Sequence, residues 1–325
     1  MKKLAVTMGD PGGIGPEIIV KAVSSPEVRR CCNPIVIGDP SVMAEALALL
    51  KHPLKLKTIK SPKDSKPARG VMEVISAISL SVKFEKSMPT PEGGRAAAGC
   101  IQKAVQLALN KLVAGIVTAP ISKEALKMAG LKWSGHTEML ADLTHTKDYA
   151  MMLIGGPLRV ILVTIHTALR NVPDLITRRK IIGTVYLAKK ACDMLGIRRP
   201  RIAVAGLNPH AGEKGIFGDE EIRKIIPAVR EAVSGGIPVS GPYPPDTVFH
   251  KAYRGDVDII VCMYHDQGLI PLKMIAFEKG VNVTVGLPFI RTSPDHGTAY
   301  DIAWKGVADP SSMIEAIKLA ATLKV

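Results

Sequence analysis

Asp258-Ile-Ile-Val-Cys-Met-Tyr-His265-Asp266-Gln267-Gly268 is the stretch on which the reading of this chain turns. Its apolar, β-branched run reads as a strand buried on both faces. It stops abruptly in a histidine, a carboxylate, an amide and a glycine. Ligands of open α/β sheets lie beyond the carboxyl ends of strands, so a polar cluster there is a site candidate. The pattern recurs twice: Val160 to Ile165 runs into His166, and Ile202 to Leu207 runs into Asn208-Pro209-His210-Ala211-Gly212-Glu213. Three buried strands that each deliver an imidazole at the same end supply what a three-histidine metal site requires. Glu213 and Asp266 are placed to accept the second ring N–H of such ligands. Neutral imidazoles suit Zn²⁺, with Co²⁺, Mn²⁺ or Mg²⁺ as other divalent candidates.

Outward from these strands the chain alternates. Leu4 to Met8 reads as a strand, Gly9 to Glu17 as a glycine-rich loop, and the residues through about Val23 as a helix with Pro16 in its first turn. That order presents backbone N–H groups to a phosphate. An unliganded tight turn fits as well, because the spacing matches neither a dinucleotide fingerprint nor a Walker loop. Pro34 to Gly38 and Gly115 to Thr118 read as strands, and Ser41 to Leu50 and Arg95 to Leu112 as helices. Residues 51–90, rich in lysine and proline, carry no clear assignment. Ala150 to Ile154, a Gly-Gly-Pro turn and Arg159 onward form a hairpin pattern, so the sheet is not purely parallel. Helices are expected near 174–195, 219–234, 247–253, 296–304 and 311–323, and strands near 201–206, 257–263 and 282–285. The class is α/β, two α/β/α domains around mostly parallel sheet. A chain of 325 residues is expected to divide, one domain from residues 1–125 plus 286–325 and the other from 126–285.

The formal charge of +14 favours anionic partners. The cations are scattered, without a long basic run or interleaved aromatics, which argues against nucleic acid and for a mostly solvated surface; a phosphorylated small-molecule substrate would account for a few of them, not for the whole excess. Five cysteines form no C-x-x-C pair, as expected of reduced thiols in a cytoplasmic protein. No stretch approaches the ~18 consecutive apolar residues of a membrane span.

Several single residues fit an anion site. His136 and Thr137 open a predicted helix, with Thr137 as a candidate cap and Glu138 in the first turn. Lys273 lies eight residues beyond His265, Asn282 begins a strand, and Arg291 follows Gly286-Leu-Pro-Phe-Ile290. A guanidinium there could bind a phosphate through two parallel bonds.

Taken together, Met8-Gly-Asp-Pro-Gly-Gly-Ile-Gly-Pro-Glu17, Gly135-His-Thr-Glu138, His166, Asn208 to Glu213, Met263 to Gly268, Gly286 to Ser293 and Asp295-His-Gly-Thr298 resemble the 4-hydroxythreonine-4-phosphate dehydrogenase family, nearly end to end. The resemblance implies an isocitrate/isopropylmalate-dehydrogenase-like fold and a homodimer with an active site shared between subunits. It implies that His166, His210 and His265 hold the metal, and that His136, Thr137, Lys273, Asn282 and Arg291 contact substrate. His296, Gly297, Thr298 and Asp301 are similar to the nucleotide loop of decarboxylating dehydrogenases, with NAD as cofactor. The implied reaction is oxidation at C3 of 4-(phosphooxy)-L-threonine followed by decarboxylation, with Lys273 or Asp246 as acid/base. Thr144 to Tyr149, Phe217 to Glu220 and Pro244 to Phe249 also resemble the D-threonate and D-erythronate 4-phosphate dehydrogenase branch. The shared motifs leave both substrate types open.

Overall fold

The computed structural model describes residues 1–78 and 85–324. In chain order the strands are β1 (Lys2–Thr7), β2 (Cys32–Gly38), β3 (Lys55–Thr58), β4 (Val71–Ser76), β5 (Gly115–Thr118) and β6 (Ala150–Gly155). They continue as β7 (Leu158–Leu162), β8 (Ile202–Ala205), β9 (Val239–Tyr243), β10 (Ile259–Cys262), β11 (Val281–Val285) and β12 (Ile290–Pro294). The chain forms two compact units, one of residues 1–147 with 287–323 and the other of residues 148–286.

In the first unit the order is β3-β4-β2-β1-β5-β12, and every pairing is parallel. Parallel strands need both faces covered, and β2 is buried along its whole length. The helix Pro91–Leu109 runs over β1, β2 and β5. Its Gly94 lets the helix Lys123–Met128 approach so closely that a Cβ there would lie 2.1 Å from the Ala125 carbonyl oxygen. This unit reaches Lys147, past the expected boundary at 125, because Lys123–Met128 and His136–Leu143 both pack on Pro91–Leu109. Strands β3 and β4 account for part of the unassigned 51–90 stretch; residues 79–84 of it lie outside the described residues. The exposed lysines of β3 guard an edge strand whose unpaired backbone would otherwise invite another chain.

The second unit orders β11-β6-β7-β10-β8-β9. The expected hairpin is β6 with β7, antiparallel, and β11 adds to β6 in the same sense. The strands β7, β10, β8 and β9 run parallel. Leu153, Leu158, Val160, Leu162, Ile260, Leu269 and Leu272 form part of one buried apolar cluster on one face of this sheet.

One expectation fails locally, and one strand was not foreseen. Residues 296–304 form turns, not a helix; Ala299 and Trp304 take positive φ, and Trp304 donates its backbone N–H to Glu17. Strand β12, where Arg291 sits, carried no strand pattern in isolation because Thr292, Ser293 and Pro294 break its apolar run. Among the described residues no helix is long and apolar enough to cross a membrane.

Candidate active site residues in the two units

In the second unit the parallel strands β7, β10 and β8 all end on the same side, and each is followed by one of the three histidines. Beyond β7 the ladder continues past the strand proper: Val163 and Thr164 donate backbone N–H to the carbonyls of Cys262 and Met263. The Thr164 hydroxyl also donates to the Met263 carbonyl, at 2.7 Å. This locks the two strand ends together and sets His166 beside His265, with ring centroids 5.7 Å apart. His265 opens the helix His265–Ala276, and its Nδ1 lies 2.7 Å from Asp266 Oδ1. A carboxylate on Nδ1 turns Nε2 outward as the ligating nitrogen, the usual arrangement in histidine metal sites. Two imidazoles on one tetrahedral ion, at the ~2.0–2.1 Å Zn–N distance, place their centroids roughly 5 Å apart. The pair therefore fits a shared divalent ion. The two rings border a cavity of about 320 Å³ that Ile165, Leu169, Val172 and Tyr264 also line.

His210 is not part of this pair. Among the described residues no three His, Cys, Asp or Glu side chains of one chain are arranged to hold an ion. His210 is exposed and stands 6.1 Å from the Phe217 ring, centroid to centroid. It sits in an unbroken left-handed run: φ is 52° at His210, 53° at Ala211, 81° at Gly212, 41° at Glu213 and 56° at Lys214. For a residue with a Cβ this conformation costs roughly 1–2 kcal/mol, so the surrounding structure must impose it. Glu213, expected to orient His210, makes no hydrogen bond to it among the described residues.

Gln267, read from the sequence only as a strand-end amide, ties these ends together. Its Oε1 accepts from Met263 N–H and its Nε2 donates to the Gly206 carbonyl, both at 2.6 Å. The end of β10 is thereby held to the end of β8. Lys273 is half-buried two turns down the helix from His265, roughly 12 Å along the axis at 1.5 Å per residue. Its Nζ lies 5.6 Å from the Phe277 ring centroid. Asp246 is exposed in the first turn of the helix Pro245–Tyr253, after β9. Asn282 lies in β11, opposite Leu153, and its buried Oδ1 has no hydrogen-bond partner among the described residues.

In the first unit, β1, β5 and β12 end together. Arg291, second residue of β12, is 2% exposed and donates from Nη2 to Thr118 Oγ1 at 2.8 Å. Burial pulls its pKa down to about 9, against the opposing pull of Glu138. His136 begins the helix His136–Leu143, capped by Gly135 without a side-chain bond, so Thr137 lies inside the first turn and not at the cap. The ring Nε2 is shielded from solvent and has no partner among the described residues. Burial first, then the Arg291 charge, hold the imidazole well below the ordinary histidine value; the Ala119 backbone opposes less strongly. A buried cation, a neutral ring with an open nitrogen and the N–H groups of a helix start are chemically suited to an anionic, hydroxylated ligand.

The glycine-rich loop resolves in favour of the tight turn. The N–H groups of Asp10, Gly13 and Ile14 go to the carbonyls of Pro120, Asp10 and Thr298, and that of Gly12 goes to Asp10 Oδ1. A Cβ at Gly13 would meet the Thr298 oxygen at 2.9 Å. The loop is thus a seat for residues 298–306, reinforced by Tyr300 Oη on Asp10 at 2.7 Å and by Gly306 N–H on Glu17 at 2.7 Å. Burial raises the Asp10 carboxyl pKa, with Tyr300 and Gly12 opposing. His296, Gly297 and Asp301 lie exposed on the supported loop, and a Cβ at Gly297 would meet nothing within 4 Å. His296 Nδ1 is 3.1 Å from the Gly297 carbonyl.

Fold and candidate site residues define the class: a two-unit α/β enzyme with paired strand-end imidazoles in one unit and a buried arginine and histidine in the other. The chain belongs to the pyridoxal phosphate biosynthetic protein PdxA family, whose model matches residues 30–320. A 4-hydroxythreonine-4-phosphate dehydrogenase of Desulforapulum autotrophicum is 51% identical over 98% of this chain and 94% of its own. A D-threonate 4-phosphate dehydrogenase of Pectobacterium atrosepticum is 48% identical over 99% of each. The crystal structure of 4-hydroxythreonine-4-phosphate dehydrogenase from Klebsiella pneumoniae superposes with a TM-score of 0.92, at 46% identity over 98% of each chain.

Proposed function

We propose that this chain is an NAD- and divalent-metal-dependent dehydrogenase. Its substrate is 4-(phosphooxy)-L-threonine, oxidised at C3 and decarboxylated to 3-amino-2-oxopropyl phosphate in pyridoxal phosphate biosynthesis. The observation that carries the reading is the His166–His265 pair, buttressed by Asp266, in a chain whose near full-length relatives are named as dehydrogenases of phosphorylated four-carbon acids. D-Threonate or D-erythronate 4-phosphate is the second reading, supported by 48% identity to a D-threonate enzyme against 51% to a hydroxythreonine one.

When bound, the ion supplies Lewis-acid chemistry at the substrate hydroxyl, and the nicotinamide supplies a hydride acceptor. His166 and His265 would hold the ion from one subunit. His210, exposed and apart from that pair, would complete the ligand set from a second copy. The helix His265–Ala276 supports such an assembly, because Ile270, Met274 and Phe277 leave an apolar stripe exposed at helical spacing. Arg291 would clamp the phosphate or carboxylate of the substrate. His136 Nε2 and the Thr137 N–H would take a further oxygen, and Asn282 Oδ1 a donor group of the substrate. These contacts fix the substrate's orientation before reaction. Lys273 or Asp246 would take the hydroxyl proton and return one after loss of CO₂. Residues 296–301, seated on the glycine-rich turn, would receive the nucleotide.

Complementation tests the shared site. H210A and H265A homodimers should each be inactive. After mixing and subunit exchange, about a quarter of wild-type NADH formation should return, from the one intact site of each hybrid. No recovery would refute the shared site. Assaying the hydroxythreonine and threonate phosphates side by side, with and without chelator, separates the two substrate readings.

A further inference from the structure

We propose that Glu221 is a positioning residue that imposes the left-handed turn on which His210 is presented. The proposal rests on the reading of His210 as a ligand to the divalent ion. Glu221 is 1% exposed and makes no ion pair among the described residues that would explain a buried carboxylate. Its acceptors are spent on the root of the turn: Oε1 accepts from the N–H groups of Leu207 and Asn208 at 2.7 and 2.8 Å. Oε2 accepts from Asn208 Nδ2 at 2.9 Å. The same Asn208 amide donates to Glu220 Oε2 at 2.7 Å. One carboxylate thus fixes the two residues that lead directly into Pro209 and His210.

The opposite side of the turn closes on the same group. A Cβ at Gly212 would stand 2.7 Å from Glu221 Oε2, so the chain passes against the carboxylate where only glycine fits, at φ 81°. A Cβ at Gly206 would meet Ala211 Cα at 2.9 Å, so the turn also rests on the end of β8. Glu221 itself begins a single π-helical turn, Glu221–Ile225, before the helix Ile226–Ser234. Such insertions reset the facing of a helix start and recur at functional sites. Removing this carboxylate leaves four non-glycine residues in a conformation they do not choose alone.

The test is a double-mutant cycle on ion affinity, read by titrating metal-free protein with Co²⁺ alone. H210A should weaken Co²⁺ binding strongly. E221Q keeps side-chain shape and one acceptor but turns an amide N–H₂ toward Asn208 Nδ2, and should weaken binding about tenfold, as loss of a ligand-orienting partner does. In the H210A background E221Q should have no further effect, because its action passes through that ring. The proposal is overturned if E221Q leaves affinity unchanged while H210A lowers it, or if E221Q costs as much without the His210 ring as with it. If H210A itself has no effect, the ligand reading fails first. Should E221Q not fold, G212A carries the same cycle, since its methyl displaces the carboxylate from the turn.

Discussion

Removing the Gln267 side chain should separate the stability of the second unit from its chemistry. Met263 is fully buried and Gly206 is buried, and the amide satisfies the N–H of one and the carbonyl of the other. In Q267A both lose that partner. An unsatisfied buried group costs about 1–3 kcal/mol, so the pair costs roughly 2–6 kcal/mol. Water entering the vacated space brings the expected loss to about 2–4 kcal/mol. Q267E sharpens the argument. Its first oxygen still accepts from Met263, but the second faces the Gly206 carbonyl across the 2.6 Å now bridged by an N–H. As a carboxylate it repels; as a carboxylic acid it donates. Its folded pKa is therefore raised above the ordinary ~4.3 of the unfolded chain. The native contact is present below that ordinary value and is lost as pH rises through the raised one. Urea unfolding followed by circular dichroism, compared as midpoints at constant m-value, measures both variants. A loss under about 1 kcal/mol in Q267A would refute the bridge, as would a Q267E deficit that does not widen from mildly acid to neutral pH.

Three further outcomes follow from the first unit. The His136 imidazole, held neutral by burial and by Arg291, should take no proton where the unfolded chain does. Wild-type stability should therefore fall as pH drops below the ordinary imidazole value of ~6.5. H136Q should remove part of that slope, and identical slopes in pH-dependent melts would reject the assignment. R291K keeps a cation but loses the fork that reaches Thr118. Substrate KM should rise about 10- to 100-fold, the worth of one charge-assisted bond, and an unchanged KM in steady-state assays would exclude Arg291 from the anion site. G94A should lower the melting temperature despite alanine's better helix propensity, because the added Cβ would sit 2.1 Å from the Ala125 oxygen. Overpacking of this kind costs about 1–3 kcal/mol, and a stabilised variant would contradict the packing.

What the sequence showed of this fold was what short-range pattern can carry. The apolar runs around Val160, Ile202 and Ile259 announced buried strands, and their abrupt polar ends marked a candidate site. The hairpin at Gly155 was legible from its turn, and β3 and β4 were not: β3 has four residues with one apolar side chain, and Glu73 interrupts the apolar run of β4. The predicted helix at 296–304 failed for a long-range reason. Glu17, hundreds of residues earlier, takes the N–H groups of Trp304 and Gly306 and holds the segment as turns. The glycine-rich loop stayed ambiguous because glycines that admit a phosphate and glycines that admit another backbone look the same until the neighbour is seen. Here the neighbour is Thr298.

The candidate site shows the same division more sharply. Residues that would touch a ligand were recognisable by type: histidines, an arginine, an asparagine. Residues that aim them were not, since Gln267 and Glu221 are ordinary polar letters whose partners lie 61 and 13–14 residues away. Their burial is the clue. A buried amide or carboxylate is costly unless fully hydrogen-bonded, and an apolar residue of like size would stabilise a packed core more cheaply. Gln267, Glu221 and Thr164 all direct side-chain hydrogen bonds to backbone just beyond the ends of β10 and β8, the strands that lead to His265 and His210. Polar groups placed there, and not deeper in the sheet, fix direction where apolar contact fixes only proximity. In the second unit the strand ends are fixed by side-chain hydrogen bonds in addition to the ladder and the packing that hold the middle.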